Sequence, residues 1–135
     1  SEIDIELLSA FDNHDSNFSG VQGDPLANFP FEAERDCFKI PNGLTSTLRL
    51  SNLDTSKLYD VTAFCSRDYV GTGTEITIND VSASVSHKNN LYELIAITDI
   101  IPNADGIIDI DIRGLGSSNA YGFLNVLQIT EKGSN

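Results

Sequence analysis

The chain is poor in several residues that often carry function. Among 135 residues there is no tryptophan and no methionine, and there are only two cysteines and two histidines. No run of about 18 apolar residues occurs, so the sequence holds no candidate for a bilayer-spanning helix. Two cysteines, Cys37 and Cys65, are too few for the disulfide framework of a small stapled domain. Even with a histidine added, they do not supply the ligands of a structural zinc site. They are read either as one bridge or as two buried thiols, and both alternatives stay open. Positive charge is also scarce: eight Lys and Arg against twenty Asp and Glu give a formal net charge of −12. A field of that sign repels phosphate backbones and anionic lipid, so neither nucleic acid nor a membrane surface is an expected partner.

Catalytic signatures are thin as well. His14 and His87 both fall in polar stretches and are read as surface residues, and no G-x-S-x-G elbow is present. Asp109 and Asp111 lie two apart on one strand, so their carboxylates share a face. A solvated acidic face beside Arg113 accounts for them better than a pair of glycosidase carboxylates. Asn13, Asp15, Asn17, Ser19 and Asp24 have a faint calcium-loop spacing, but Phe18 stands where an EF-hand requires glycine. An irregular calcium site using loop carbonyls with Asp12, Asp15 or Asp24 stays open; otherwise no cofactor is expected. Gly71 and Gly73 precede no helix pattern, which excludes a phosphate loop. The chain is not expected to be an enzyme.

What is present is alternation. Thr47 to Arg67 reads as strand, turn, strand. Leu48 and Leu50 alternate with polar neighbours, Asp54 to Lys57 supply turn chemistry, and Tyr59, Val61, Ala63 and Cys65 then share one face. Ile3, Ile5 and Leu7 predict an edge strand, and Phe11 to Asn28 a long loop. Cys37 to Ile40 predicts a short strand. Further strands are predicted at Glu75 to Ile78, Val81 to Ser86, Leu91 to Ile101 and Ile108 to Arg113. Tyr121 to Thr130 predicts a last, central strand before a trailing tail. Eight or nine strands with regular turn signals and no convincing helix predict one all-β domain, residues 1–135, built as a β-sandwich or barrel. With Ser1 first and no methionine, it reads as a piece of a longer protein.

The loops have the composition of a sugar site: aromatic rings with planar Asn, Asp and Arg groups around them. Arg67, Asp68 and Tyr69 on one loop, with Asn119 and Tyr121 from the Gly/Ser loop before the last strand, form the candidate ligand-binding set. Tyr121 is the candidate platform, because Gly114, Gly116 and Gly122 leave its ring room. Arg67 shares the parity of Tyr59 to Cys65 and is a candidate to turn inward.

Several segments carry a resemblance. They are Leu50-Ser51-Asn52-Leu53-Asp54-Thr55-Ser56-Lys57-Leu58-Tyr59, Phe64-Cys65-Ser66-Arg67, Pro102-Asn103-Ala104-Asp105-Gly106 with the I-x-I alternation after it, and Tyr121 to Ile129. Over roughly residues 29–130 the chain resembles the galactose-binding-like β-sandwich modules attached to secreted bacterial polysaccharide-degrading enzymes. The resemblance implies a jelly-roll β-sandwich and a carbohydrate-binding role. It also implies an extracellular setting, with a polysaccharide or oligosaccharide and a parent catalytic domain as partners. The rival expectation is a structural or protein-interaction domain that packs against a catalytic domain and binds no sugar.

Overall fold

The computed structural model describes residues 2–9, 11, 13–16, 36–67, 73–88, 90, 93–116 and 121–134. Among them the chain is all-β, with eleven strands and no helix. The strands are β1 (Asp4–Leu7), β2 (Asn13–Ser16), β3 (Asp36–Ile40), β4 (Thr45–Ser51), β5 (Lys57–Phe64), β6 (Gly73–Ile78), β7 (Val81–Val85), β8 (Leu94–Ile100), β9 (Ile108–Leu115), β10 (Gly122–Leu124) and β11 (Val126–Ser134). They form a five-stranded sheet ordered β1-β4-β9-β6-β7 and two three-stranded sheets ordered β11-β5-β8 and β10-β3-β2. All named pairings are antiparallel, and the arrangement is consistent with a β-sandwich.

Alternation sets which side chains go inside. Leu48, Leu50, Ile76, Ile78, Ile108, Ile110 and Ile112 leave one face of the five-stranded sheet. They meet Tyr59, Val61, Ala63, Ile95, Ile97 and Ile100 from the β11-β5-β8 sheet in a single apolar core. Each such aliphatic side chain contributes about 1.5–3 kcal/mol by leaving water. The opposite face of the five-stranded sheet is polar: Arg49 stands opposite Asp109, Thr47 opposite Asp111, and Arg113 opposite Glu75.

Local chemistry fixes the register at two places. Asn79 and Asp80 both adopt left-handed φ, +50° and +64°, as a two-residue type I′ hairpin requires, and join β6 to β7. Asp99, at φ +57°, is the bulge residue where β8 slips against β5 between Tyr59 and Val61. Its N–H donates to the Asp60 carboxylate at 2.9 Å.

Three expectations are corrected. The stretch from Tyr121 to Thr130 is not one central strand. It divides at Asn125 into β10, in one sheet, and β11, at the edge of another. The physical cause is Asn125 itself, whose N–H donates to the Phe64 carbonyl while its Oδ1 accepts the Ser66 N–H. Nor does the tail trail off, since β11 continues to Ser134 along β5. Within the long polar loop, Asn13 to Ser16 pairs with β3 as β2, the backbone ladder overriding weak strand propensity. The outline of β1 is as expected, at a sheet edge, but Ile5 and Leu7 remain 60% and 44% exposed although they stand opposite buried Leu50 and Leu48.

Candidate functional site

Two of the candidate residues, Arg67 and Tyr121, fall at one end of the molecule. There β5, β7 and β9 finish, and β6, β8 and β10 begin. Arg67 follows β5 and Tyr121 precedes β10, so these two residues, distant in sequence, share that end. Between them in the fold, Asn125 ties the start of β11 to the end of β5: its Oδ1 accepts the Ser66 N–H at 2.8 Å and its own N–H donates to the Phe64 carbonyl at 2.9 Å. Asp68, Tyr69 and Asn119 lie outside the described residues, as do Asp12 and Asp24. Only the backbone of Asp15, in β2, is described. Among the described residues no group of three or more His, Cys, Asp or Glu is placed to hold a metal.

A buried polar network underlies this end. His87 is fully buried, which corrects its reading as a surface residue. It continues the inward parity of Ala83 and Val85 on β7, and that parity was the sequence signal that could have placed it. Its Nδ1 lies 3.0 Å from Thr74 Oγ1, and the same oxygen accepts the Phe123 N–H at 3.0 Å. The imidazole meets the Phe123 ring edge-on, with centroids 4.9 Å apart. Burial pushes the His87 pKa down to about 4, and a hydrogen bond with the Gly73 backbone opposes the shift only in part. The ring is therefore neutral at pH 7.

This network aims the Arg67 backbone. Arg67 N–H donates to the His87 carbonyl at 2.9 Å, and an isolated parallel bridge joins Arg67 to Lys88. The residue is half-buried and its Nε is enclosed, in keeping with a side chain that turns inward. Asn90 clips the neighbouring turn. Its Nδ2 donates to the Cys65 and Glu93 carbonyls at 3.1 and 2.8 Å, and its Oδ1 accepts the Glu93 N–H at 2.9 Å. Ser66 Oγ donates to the Asn90 carbonyl at 2.7 Å. Asn90, Ser66, Thr74 and Asn125 carried no signal in sequence, because each acts on a backbone group far along the chain.

Tyr121 is half-buried, and the Lys39 ammonium sits 4.6 Å from its ring centroid, a cation–π contact that occupies one face. The glycines around it serve the backbone rather than the ring. A Cβ on Gly114 would stand 2.4 Å from the Tyr121 carbonyl carbon, and one on Gly122 would stand 3.0 Å from Arg113. Two glycines let β10 cross the end of β9 at backbone contact.

Asp109 and Asp111 sit away from this end, on the polar face. Arg49 grips Asp109 through Nε–Oδ1 and Nη2–Oδ2 at 2.8 and 3.0 Å, and Thr47 Oγ1 donates to Asp111 at 2.7 Å. The hydrogen bond from Arg49 holds the Asp109 carboxyl below the usual carboxylate range. Cys37 and Cys65 are both buried free thiols. Burial, with a smaller push from the neighbouring Cys37, raises the Cys65 thiol far above its ordinary pKa.

The sequence matches no protein-family model and no curated protein.

Proposed function

We propose that this chain is a non-catalytic carbohydrate-binding module. It folds as a jelly roll of the galactose-binding-like kind and holds a secreted parent enzyme near its polysaccharide. The observation that carries the reading is that Arg67 and Tyr121, distant in sequence, lie at one end of the molecule, over a floor braced by His87, Asn90 and Asn125. An arginine and a tyrosine, both half-buried, at one end of a rigid scaffold have the composition of a sugar subsite. Linkage to a catalytic domain raises effective concentration, so a shallow site of modest affinity suffices.

The test is a glycan array with the isolated chain, then calorimetry on Tyr121→Ala, Tyr69→Ala and Asn119→Ala with the glycan selected. Loss of a stacking ring costs on the order of 1–3 kcal/mol of binding. Unchanged affinity in all three variants, with the fold intact, removes the site from this end. Turnover of any glycan that Asp109→Ala or Asp111→Ala abolishes overturns the non-catalytic reading.

One observation favours the rival reading, a structural domain packed against a catalytic one. Ile5 and Leu7 on edge strand β1, with Ile3 just before it, form an apolar row, exposed by 60, 44 and 39%. Surface of this kind marks protein contacts. A blank array together with co-purification of a neighbouring domain, lost on Ile5→Lys, would establish that reading instead.

A further inference from the structure

At the end of β5 opposite Arg67, a cleft of about 350 Å³ is lined by Ile3, Asn52, Leu53, Asp54, Tyr59 and Glu131. It opens at the edges of two sheets: Ile3 leads into β1, while Glu131 lies on β11 directly opposite Tyr59. Leu53 and Tyr59 are buried and form the floor; Asn52, Asp54 and Glu131 are exposed at the mouth.

The walls are held in place before any ligand arrives. The Asp54 N–H donates to the Tyr59 hydroxyl oxygen at 2.9 Å. Asp54 Oδ1 accepts the N–H and hydroxyl of Ser56 at 2.9 and 2.6 Å. Asn52, at φ +62°, donates Nδ2 to Asp4 at 3.0 Å. Leu53 N–H donates to the Gly106 carbonyl at 3.0 Å, and a Cβ at Gly106 would stand 2.6 Å from the Leu53 oxygen. These bonds leave Asn52 Oδ1, Asp54 Oδ2 and the Glu131 carboxylate, all on exposed residues, as acceptors. The Tyr59 hydroxyl proton and the second Asn52 Nδ2 proton are the side-chain donors left among the lining residues, and none of those residues is basic. A preformed cleft loses little on ordering.

We propose that this cleft binds a pyranose unit bearing a free ammonium group, an amino sugar; the inference rests on the carbohydrate-binding reading and names its substrate class. The ammonium lies between the Asp54 and Glu131 carboxylates. Ring hydroxyls donate to Asn52 Oδ1, and one accepts the Tyr59 proton. Leu53 and Ile3 cover the C–H face. Uronates and sulfated sugars meet two like charges and are rejected. Tyr59 and Arg67 stand eight residues apart along an extended chain, about 25 Å, so one sugar unit cannot touch both.

The experiment is a titration of the isotope-labelled chain, followed by amide chemical shifts, with glucosamine, N-acetylglucosamine and glucuronate. Glucosamine is expected to move the signals of Asn52, Leu53, Asp54 and Glu131. Its affinity should exceed that of the acetylated sugar by about two- to five-fold, as exposed ion pairs allow, and glucuronate should not bind. Glu131→Gln, at an exposed edge position, should erase that preference without unfolding the chain, and Tyr59→Phe should weaken both sugars. Equal affinity for the amine and its acetylated form overturns the inference, as do shifts evoked by calcium chloride but by no sugar. Shifts confined to the Arg67 and Tyr121 end overturn it while the carbohydrate reading stands. A spectrum unmoved by every sugar, with a blank array, removes both.

Discussion

The outer face of the five-stranded sheet and the end of the molecule around His87 are both built from polar side chains, but they are built differently. On the face, each partner is the cross-strand neighbour: Arg49 with Asp109, Thr47 with Asp111, Arg113 with Glu75. Water reaches these pairs, and any one of them can be lost with solvent as a substitute. At the His87 end, the partners include buried backbone groups remote in the chain, the Cys65 and Asn90 carbonyls and the Phe123 N–H, and no solvent replaces a missing one. Polarity on the face meets water; polarity at the end is structural, and it holds the Arg67 backbone.

The largest effect is expected from Asn90→Ala, which strips partners from the Cys65 and Glu93 carbonyls and from the Glu93 N–H. About 2–4 kcal/mol of stability should disappear in urea unfolding. A loss no greater than that of Thr47→Ala, on the outer face, would erase the distinction between the two regions. Next comes pH. Unfolded, His87 takes a proton near its ordinary pKa of 6.5; folded, it resists until about 4. As pH falls through that window the unfolded state binds the extra proton, so stability is lost on acidification and amounts to about 3 kcal/mol at pH 4. His87→Phe should flatten the slope of stability between pH 6.5 and 4; an unchanged slope would assign it to other groups. A smaller effect is expected from Asp109→Asn, a drop in Tm of at most about 2 °C that shrinks further in high salt. The smallest expected effect is none: reductant should leave Tm unchanged, and thiol titration of the denatured, unreduced protein should find both Cys37 and Cys65. A titration that finds no thiol would mean a bridge.

What could be read in advance follows the same division. The strands from Thr45 to Phe64 and from Ile108 to Arg113 were legible because period-two alternation depends only on near neighbours. The Asn79–Asp80 turn was legible because those residue types tolerate φ > 0. Asn125 was not, because it interrupts an apolar run by bonding to Phe64 and Ser66, half the chain away. His87 was misplaced because a polar neighbourhood in sequence says little about burial, which its parity with Val85 decides. Of the candidate site, Arg67 and Tyr121 are described and lie at one end, and the Lys39 contact on the Tyr121 ring was beyond any local pattern.

The order of strands has a consequence for how the protein reaches this structure. In the five-stranded sheet β1 lies beside β4, β4 beside β9, and β9 beside β6; in its partner, β11 lies beside β5 and β5 beside β8. Nearly every ladder therefore joins segments far apart in the chain, and a large loop must close before each begins to form. Such topologies fold slowly, on the order of milliseconds to seconds. The β6–β7 hairpin, closed by two residues already suited to their turn, is a short-range ladder that can form within microseconds. It offers the remaining strands an early template, and β9 is the first strand to gain from it, since β9 pairs with β6 along Gly73 to Thr77.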